Sequence, residues 1–114
     1  MLPKLNRIRK KRDFEIIFKN GKGFKNGFLA MRVINNNLPE SRFGFVISKK
    51  VSQKAVVRNK IKRRISEAIR LDLERIKKGV DIVFITFSGI KKHNFSETKE
   101  LVKNILKKAG LLNV

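Results

Sequence analysis

The chain has no cysteine, tryptophan or tyrosine, two prolines, and nine acidic residues in 114. Each shortage closes a class of explanation. Without cysteine there are no disulfides, no thiolate nucleophile and no cysteine-ligated zinc. The one histidine, His93, has no cysteine or carboxylate cluster beside it in sequence, so it reads as an exposed loop residue, not a metal ligand. A nuclease working through two metal ions needs several carboxylates converging on ions about 4 Å apart. The acids here are Asp13, Glu15, Glu40, Glu67, Asp72, Glu74, Asp81, Glu97 and Glu100. Most fall on helical stretches interleaved with Lys or Arg, as solvated ion pairs do. A lone histidine cannot serve as both acid and base. No catalytic residue, metal ligand or protein-bound cofactor is therefore expected. No segment approaches the roughly 20 apolar residues of a membrane span. The basic N-terminus lacks a following apolar stretch, so it does not read as a signal peptide. A reduced cytoplasmic location is the compatible setting.

What is abundant is positive charge. Lys and Arg total 29 against the nine acids, a formal net charge of +20. Charge of one sign on that scale opposes folding by self-repulsion and implies an anionic partner. A membrane-surface role predicts bulky apolar residues opposite the cations on an exposed helix. Here that apolar stripe is needed for the core. The length suits one domain, residues 1–114, with a modest core, and no repeat or linker divides it.

Residues 1–12 hold six cations and one proline and read as a mobile basic arm. Phe14, Ile17 and Phe18 share one face of a short helix from about Asp13 to Lys19, with Gly21 as its stop. Phe28–Asn35 alternates as a strand, with Leu29, Met31 and Val33 on one face. Arg42–Ser48 alternates likewise, with Phe43, Phe45 and Ile47 together. Their closeness in sequence predicts an antiparallel hairpin. A long helix is predicted from Val56 to Lys78, with Val57, Ile61, Ile65, Ala68, Ile69 and Ile76 as its apolar stripe and Gly79 as its end. Val80–Ser88 is apolar on both faces, as a central strand would be. A last helix runs from Phe95 to Ala109, opened by an Asn94/Glu97 capping box and stopped by Gly110.

The densest basic run is Arg58-Asn59-Lys60-Ile61-Lys62-Arg63-Arg64, five cations in seven positions at the start of the long helix. A helix N-terminus disfavours each cation by roughly 0.3–1 kcal/mol. The last helix keeps the favourable order, with Glu97 and Glu100 early and Lys107 and Lys108 late. The long helix reverses it, with Glu67, Asp72 and Glu74 following the cations. A sequence that obeys the rule once and breaks it once marks the break as a functional candidate. The partner this predicts is RNA, held by Lys point charges and Arg forks, with Asn59 able to reach a base edge, a 2′-hydroxyl or a phosphate. Ser48, Lys49, Lys50 and Lys54 either extend that basic surface or blunt an edge strand. Phe14 and Phe18 are either core or a platform for stacked bases, each worth about 1–3 kcal/mol.

These residues together resemble the protein subunit of bacterial ribonuclease P. The resemblance rests on Arg12-Asp13-Phe14 with Phe18 four residues on, the strand Phe43-Gly44-Phe45-Val46-Ile47-Ser48-Lys49-Lys50, the basic helix, and the strand Val80-Asp81-Ile82-Val83. It implies an α/β (α+β) two-layer sandwich, a small mixed sheet with three helices and a left-handed βαβ crossover, against the general right-handed rule. It implies a chain that assists an RNA enzyme in removing the 5′ leader of precursor tRNA. The RNA subunit would use magnesium and carry the catalytic groups. The partners would be that RNA and precursor tRNA, with no membrane and no obligate protein. Arg58, Asn59, Lys60, Lys62, Arg63 and Arg64 would meet the RNA subunit. Phe14, Phe18, Met31, Ser48, Lys49, Lys50 and Lys54 would line the leader cleft. Lys60 stands where that family often has Arg, and Met31 where some members have an aromatic. A general RNA-binding module and a DNA-binding recognition helix are the competing readings. The second is disfavoured because the basic helix is flanked by strands, not by the first helix of a helix-turn-helix.

Overall fold

The structure, a computed structural model, describes residues 2–113. Along the chain run α1 (Lys11–Asn20), β1 (Lys22–Asn26), β2 (Leu29–Asn35), β3 (Arg42–Val46), α2 (Ala55–Leu71), β4 (Val80–Thr86) and α3 (Phe95–Lys108). Short 3-10 turns cover Lys4–Asn6, Leu73–Arg75 and Ser88–Lys92.

The sheet order is β1-β2-β4-β3. Strand β4 pairs antiparallel with β2 and parallel with β3, so β2 and β3 do not form the expected hairpin. The reason lies in β4 itself. A strand that is apolar on both faces is most stable with a neighbour on each side and helices over both faces, and β4 separates the two strands to get them. The hairpin is instead β1–β2, antiparallel from Lys22↔Val33 to Asn26↔Leu29. Its two-residue turn is Gly27-Phe28, with Gly27 at φ +57°, as a turn of this length requires at its first position. Strand β1 was not foreseen because Lys22-Gly23-Phe24-Lys25-Asn26 has one apolar residue and no alternation.

The predicted strand faces hold. Leu29, Met31, Phe43, Ile82 and Phe84 pack in one core with Ile61, Ile65 and Ile69 of α2 and Val102, Ile105 and Leu106 of α3. That layer pair is the main sandwich. A smaller cluster on the opposite sheet face joins Ile8, Ile17 and Val83, flanked by Phe14, Ile34, Val46 and Ile85. The β3–α2–β4 unit is the parallel crossover.

Three further expectations change. Helix α2 ends at Leu71, with Asp72 as C-cap, not near Lys78. Asp72 follows Ala68 and Ile69 by one turn, so continuing the helix would bring a carboxylate onto its apolar stripe, at the end where the dipole also disfavours it. Ile76 is buried, but as a bridge partner of Leu112 outside the helix. The charge reversal is also milder than the sequence suggests. The first turn of α2 is Ala55-Val56-Val57 behind Lys54 at the N-cap, and its last turn carries Arg70. Asp72 and Glu74 lie past its end. The cations therefore occupy the second and third turns, where the dipole penalty has largely faded. Finally, the N-terminal segment is packed, not a mobile arm. Leu2 and Ile8 are buried, the Ile8 N–H donates to the Phe43 carbonyl, and the buried Asn6 amide donates to the Ser41 carbonyl at 2.8 Å.

Candidate nucleic-acid interface

Two surfaces carry the candidate residues, and each follows from simple spacing. On α2, Ile61, Ile65, Ala68 and Ile69 are buried, which turns Asn59, Lys60, Lys62 and Arg63 outward into solvent. Among the described residues these four make no side-chain hydrogen bond or ion pair. A groove of about 410 Å³ runs between Val56, Asn59, Lys62, Arg63 and Ser66. Val56 is 76% exposed at its upper end, an apolar residue left uncovered beside cations. The groove therefore pairs ammonium and guanidinium donors with an apolar wall, a combination suited to sugar-phosphate backbone and base.

The second surface is the sheet face carrying α1. Pairing registers place three rows there: Ile34, Asp81 and Arg42; then Arg32, Val83 and Gly44; then Ala30, Ile85 and Val46. Helix α1 lies across the first two. Its Asp13 reaches Arg42 (Oδ2 to Nη1, 3.6 Å). Phe14 covers Gly44 so closely that a Cβ there would sit 2.7 Å from its ring. Ile17 is buried. On a helix, Asp13 and Phe18 flank the Phe14–Ile17 line on opposite sides. Since Asp13 points to the Asp81 row, Phe18 points to the third. That row is uncovered: Ala30, Ile85 and Val46 are partly exposed and form an apolar floor, with Phe18, 39% exposed, as its wall.

One ionic clamp sets α1 on the sheet. Arg42 donates to both oxygens of the buried Asp81, Nε to Oδ1 at 2.9 Å and Nη2 to Oδ2 at 2.6 Å. The Asn36 amide donates to Asp81 Oδ1 at 2.8 Å. The hydrogen bonds that Arg42 donates to Asp81 hold its guanidinium more firmly protonated than usual, against the effect of partial burial, and the charges of Asp81 and Asp13 add to it. Every buried side-chain polar atom among the described residues is partnered.

Comparison with known proteins places this arrangement. The family described as Ribonuclease P matches residues 2–110. The chain belongs to the ribonuclease P protein family. It is 40% identical over 114 residues to the ribonuclease P protein component of Clostridium novyi, covering 98% of this chain and 100% of that one. A Clostridium botulinum relative of the same name is 39% identical over 111 residues, 96% and 99% of the two chains. Among solved structures, the Staphylococcus aureus RNase P protein superposes with a TM-score of 0.88 at 32% identity, over 95% of this chain and 98% of the other. The Thermotoga maritima RNase P protein superposes at 0.82 and 36% identity, over 90% and 96%.

Within this ribonuclease P family fold, the residues singled out from the sequence separate into groups. Asn59, Lys60, Lys62 and Arg63 share the outward face. Arg58 and Arg64 do not: Arg58 donates to the Ser52 and Gln53 carbonyls at 3.0 Å each, and Arg64 to the His93 carbonyl at 2.8 Å. Both guanidiniums tie loops to α2. Phe14 is half-buried and packs on Gly44, while Phe18 is the exposed one of the pair. Ser48, Lys49 and Lys50 lie past the end of β3, which stops at Val46, in an exposed turn beside the floor, and Lys54 caps α2.

Met31 is a correction. It is 1% exposed and belongs to the core between the sheet and α2/α3, on the face away from the cleft. A strand's side chains alternate, so the cleft-side neighbour is Arg32, which donates to the Gly21 carbonyl at the end of α1 at 3.2 Å. Sequence reasoning also passed over Lys91 and Lys92. The Ser88 hydroxyl donates to the Lys50 carbonyl at 3.4 Å, which ties the turn carrying that exposed pair to the loop after β3. The alternation Ala30, Arg32, Ile34 was readable in the sequence; which face α1 would cover was not.

Proposed function

We propose that this chain is the protein subunit of a ribonucleoprotein ribonuclease P, and that it assists removal of the 5′ leader from precursor tRNA. The outward face of α2 binds the RNA subunit through Asn59, Lys60, Lys62 and Arg63. The uncovered sheet row beside α1 holds the single-stranded leader, with Phe18 stacking a base and Lys49, Lys50 and Lys54 taking phosphates. One observation carries this reading: an apolar sheet floor is left open beside an exposed phenylalanine, with Lys50 at its edge. A generic phosphate binder has no use for the open floor; a single strand with its bases splayed does.

The chemistry belongs to the RNA. Among the described residues no three His, Asp or Glu side chains come together in a way that could hold a metal ion. In this reading the magnesium needed for phosphodiester hydrolysis sits with the RNA subunit, and the protein contributes binding and alignment. No helix among the described residues is long and apolar enough to cross a membrane, and the working partners are the RNA subunit and precursor tRNA in the cytoplasm.

Reconstitution tests this. The protein is mixed with a bacterial ribonuclease P RNA and a precursor tRNA at low magnesium, and leader release is followed, with protein alone as control. Cleavage that needs both components is the expected result. Binding without any gain in cleavage would leave a general RNA-binding module as the better account, and cleavage by protein alone would contradict the placement of catalysis on RNA.

A further inference from the structure

The alternation of β4 continues past its last residue. Asp81, Val83 and Ile85 face α1 and its cleft, and Phe87 is next in that series. It is 40% exposed, yet it is not on a frayed end. Its N–H donates to the Phe28 carbonyl at 2.9 Å, and its own carbonyl accepts from Ile90 at 3.0 Å. The backbone holds an apolar ring at the surface where it contributes little to the core. The Lys25 ammonium stands 4.8 Å from the centre of that ring.

A cavity of about 380 Å³ opens beside it, lined by Val46, Ile85 and Phe87 as apolar walls and by Ser48, Ser88 and Lys50 as polar ones. The Ser48 oxygen accepts from the Lys50 N–H at 3.2 Å, so its own hydroxyl proton is free to donate. No carboxylate lines the cavity. An aromatic wall, an apolar floor, a hydroxyl donor, the lining Lys50 and the Lys25 ammonium over the Phe87 ring suit a nucleobase with its flanking phosphates. An acidic or apolar peptide would use the ammoniums or the walls, but not both with a flat ring.

We propose that Phe87 forms a second base-stacking subsite. One nucleotide of single-stranded RNA, beyond the one at Phe18, enters this cavity and stacks on Phe87, and Lys25 and Lys50 take the phosphates on either side. The assignment rests on the leader lying across the open sheet row, and it makes the cleft longer than the Phe18 site by one base.

The test uses the reconstituted holoenzyme and precursor tRNAs whose leaders lengthen one nucleotide at a time. Wild-type affinity should rise in two steps as the leader reaches first Phe18 and then Phe87. Phe87→Ala should remove the second step alone, a loss of roughly 5- to 150-fold on long leaders, with short leaders and RNA-subunit affinity unchanged. Phe87→Tyr should restore it. Phe18→Ala should remove the first step. If Phe87→Ala matches wild type on every leader while Phe18→Ala does not, the second subsite is wrong and the leader cleft stands. If neither substitution has an effect, the leader cleft itself is wrong. A uniform loss on all leaders with Phe87→Ala would make the residue structural and overturn the proposal.

Discussion

The sharpest consequence of the structure concerns the basic run of α2, because it divides cations that the sequence presents as one block. Lys60, Lys62 and Arg63 face solvent without protein partners among the described residues; Arg58 and Arg64 hold loop carbonyls. Replacing the three outward cations with Gln removes three phosphate contacts. Each contact contributes about 0.7–0.9 to the slope of log K against log salt, so the slope should fall by about 2–3. Thermal stability should hold or rise slightly, since repulsion within a +20 chain is relieved. Arg58→Gln and Arg64→Gln should do the opposite. Each loses charge-assisted hydrogen bonds at a half-buried site, costing about 1 kcal/mol and lowering Tm by roughly 4 °C, with the salt slope nearly unchanged. The assay is RNA-subunit binding across a salt series, with thermal melts of the free proteins. An Arg58→Gln slope that falls as far as that of Arg63→Gln would refute the division.

Two other outcomes follow from particular contacts. Met31→Leu, a volume-conserving change at a buried site, should cost less than about 1.5 kcal/mol and leave affinity for leader-bearing precursor tRNA unchanged; a selective loss on leader-bearing substrate would return Met31 to the cleft. Asp81→Asn removes the carboxylate that pairs with Arg42 and should cost roughly 1.5–3 kcal/mol, measured by urea unfolding, and loosen α1 enough to weaken leader binding along with stability.

The α3 boundaries and its capping box were legible because they depend on residues three and four apart: Asn94 and Glu97 make both reciprocal hydrogen bonds. The central place of β4 was legible from its apolarity on both faces. Strand β1 was not, since Lys22–Asn26 is defined by its pairing with β2 and by nothing in its own pattern. The hairpin between β2 and β3 was a wrong inference from proximity; β4, more than thirty residues later in the chain, competes for the same edges and wins.

For the site, the sequence by itself determined the charge, the cationic density at residues 58–64 and the helical spacing of Phe14 and Phe18. These depend on composition and on neighbours within one turn. Only the tertiary structure decided which of those groups are free. Burial of one α2 stripe turned Lys60, Lys62 and Arg63 outward, while loops ending near α2 engaged Arg58 and Arg64. The docking of α1 over two sheet rows, set by Arg42, Asp81 and the room that Gly44 leaves for Phe14, left a third row open. A side chain's face is fixed by local geometry, but whether that face meets water or protein depends on residues far away in the chain.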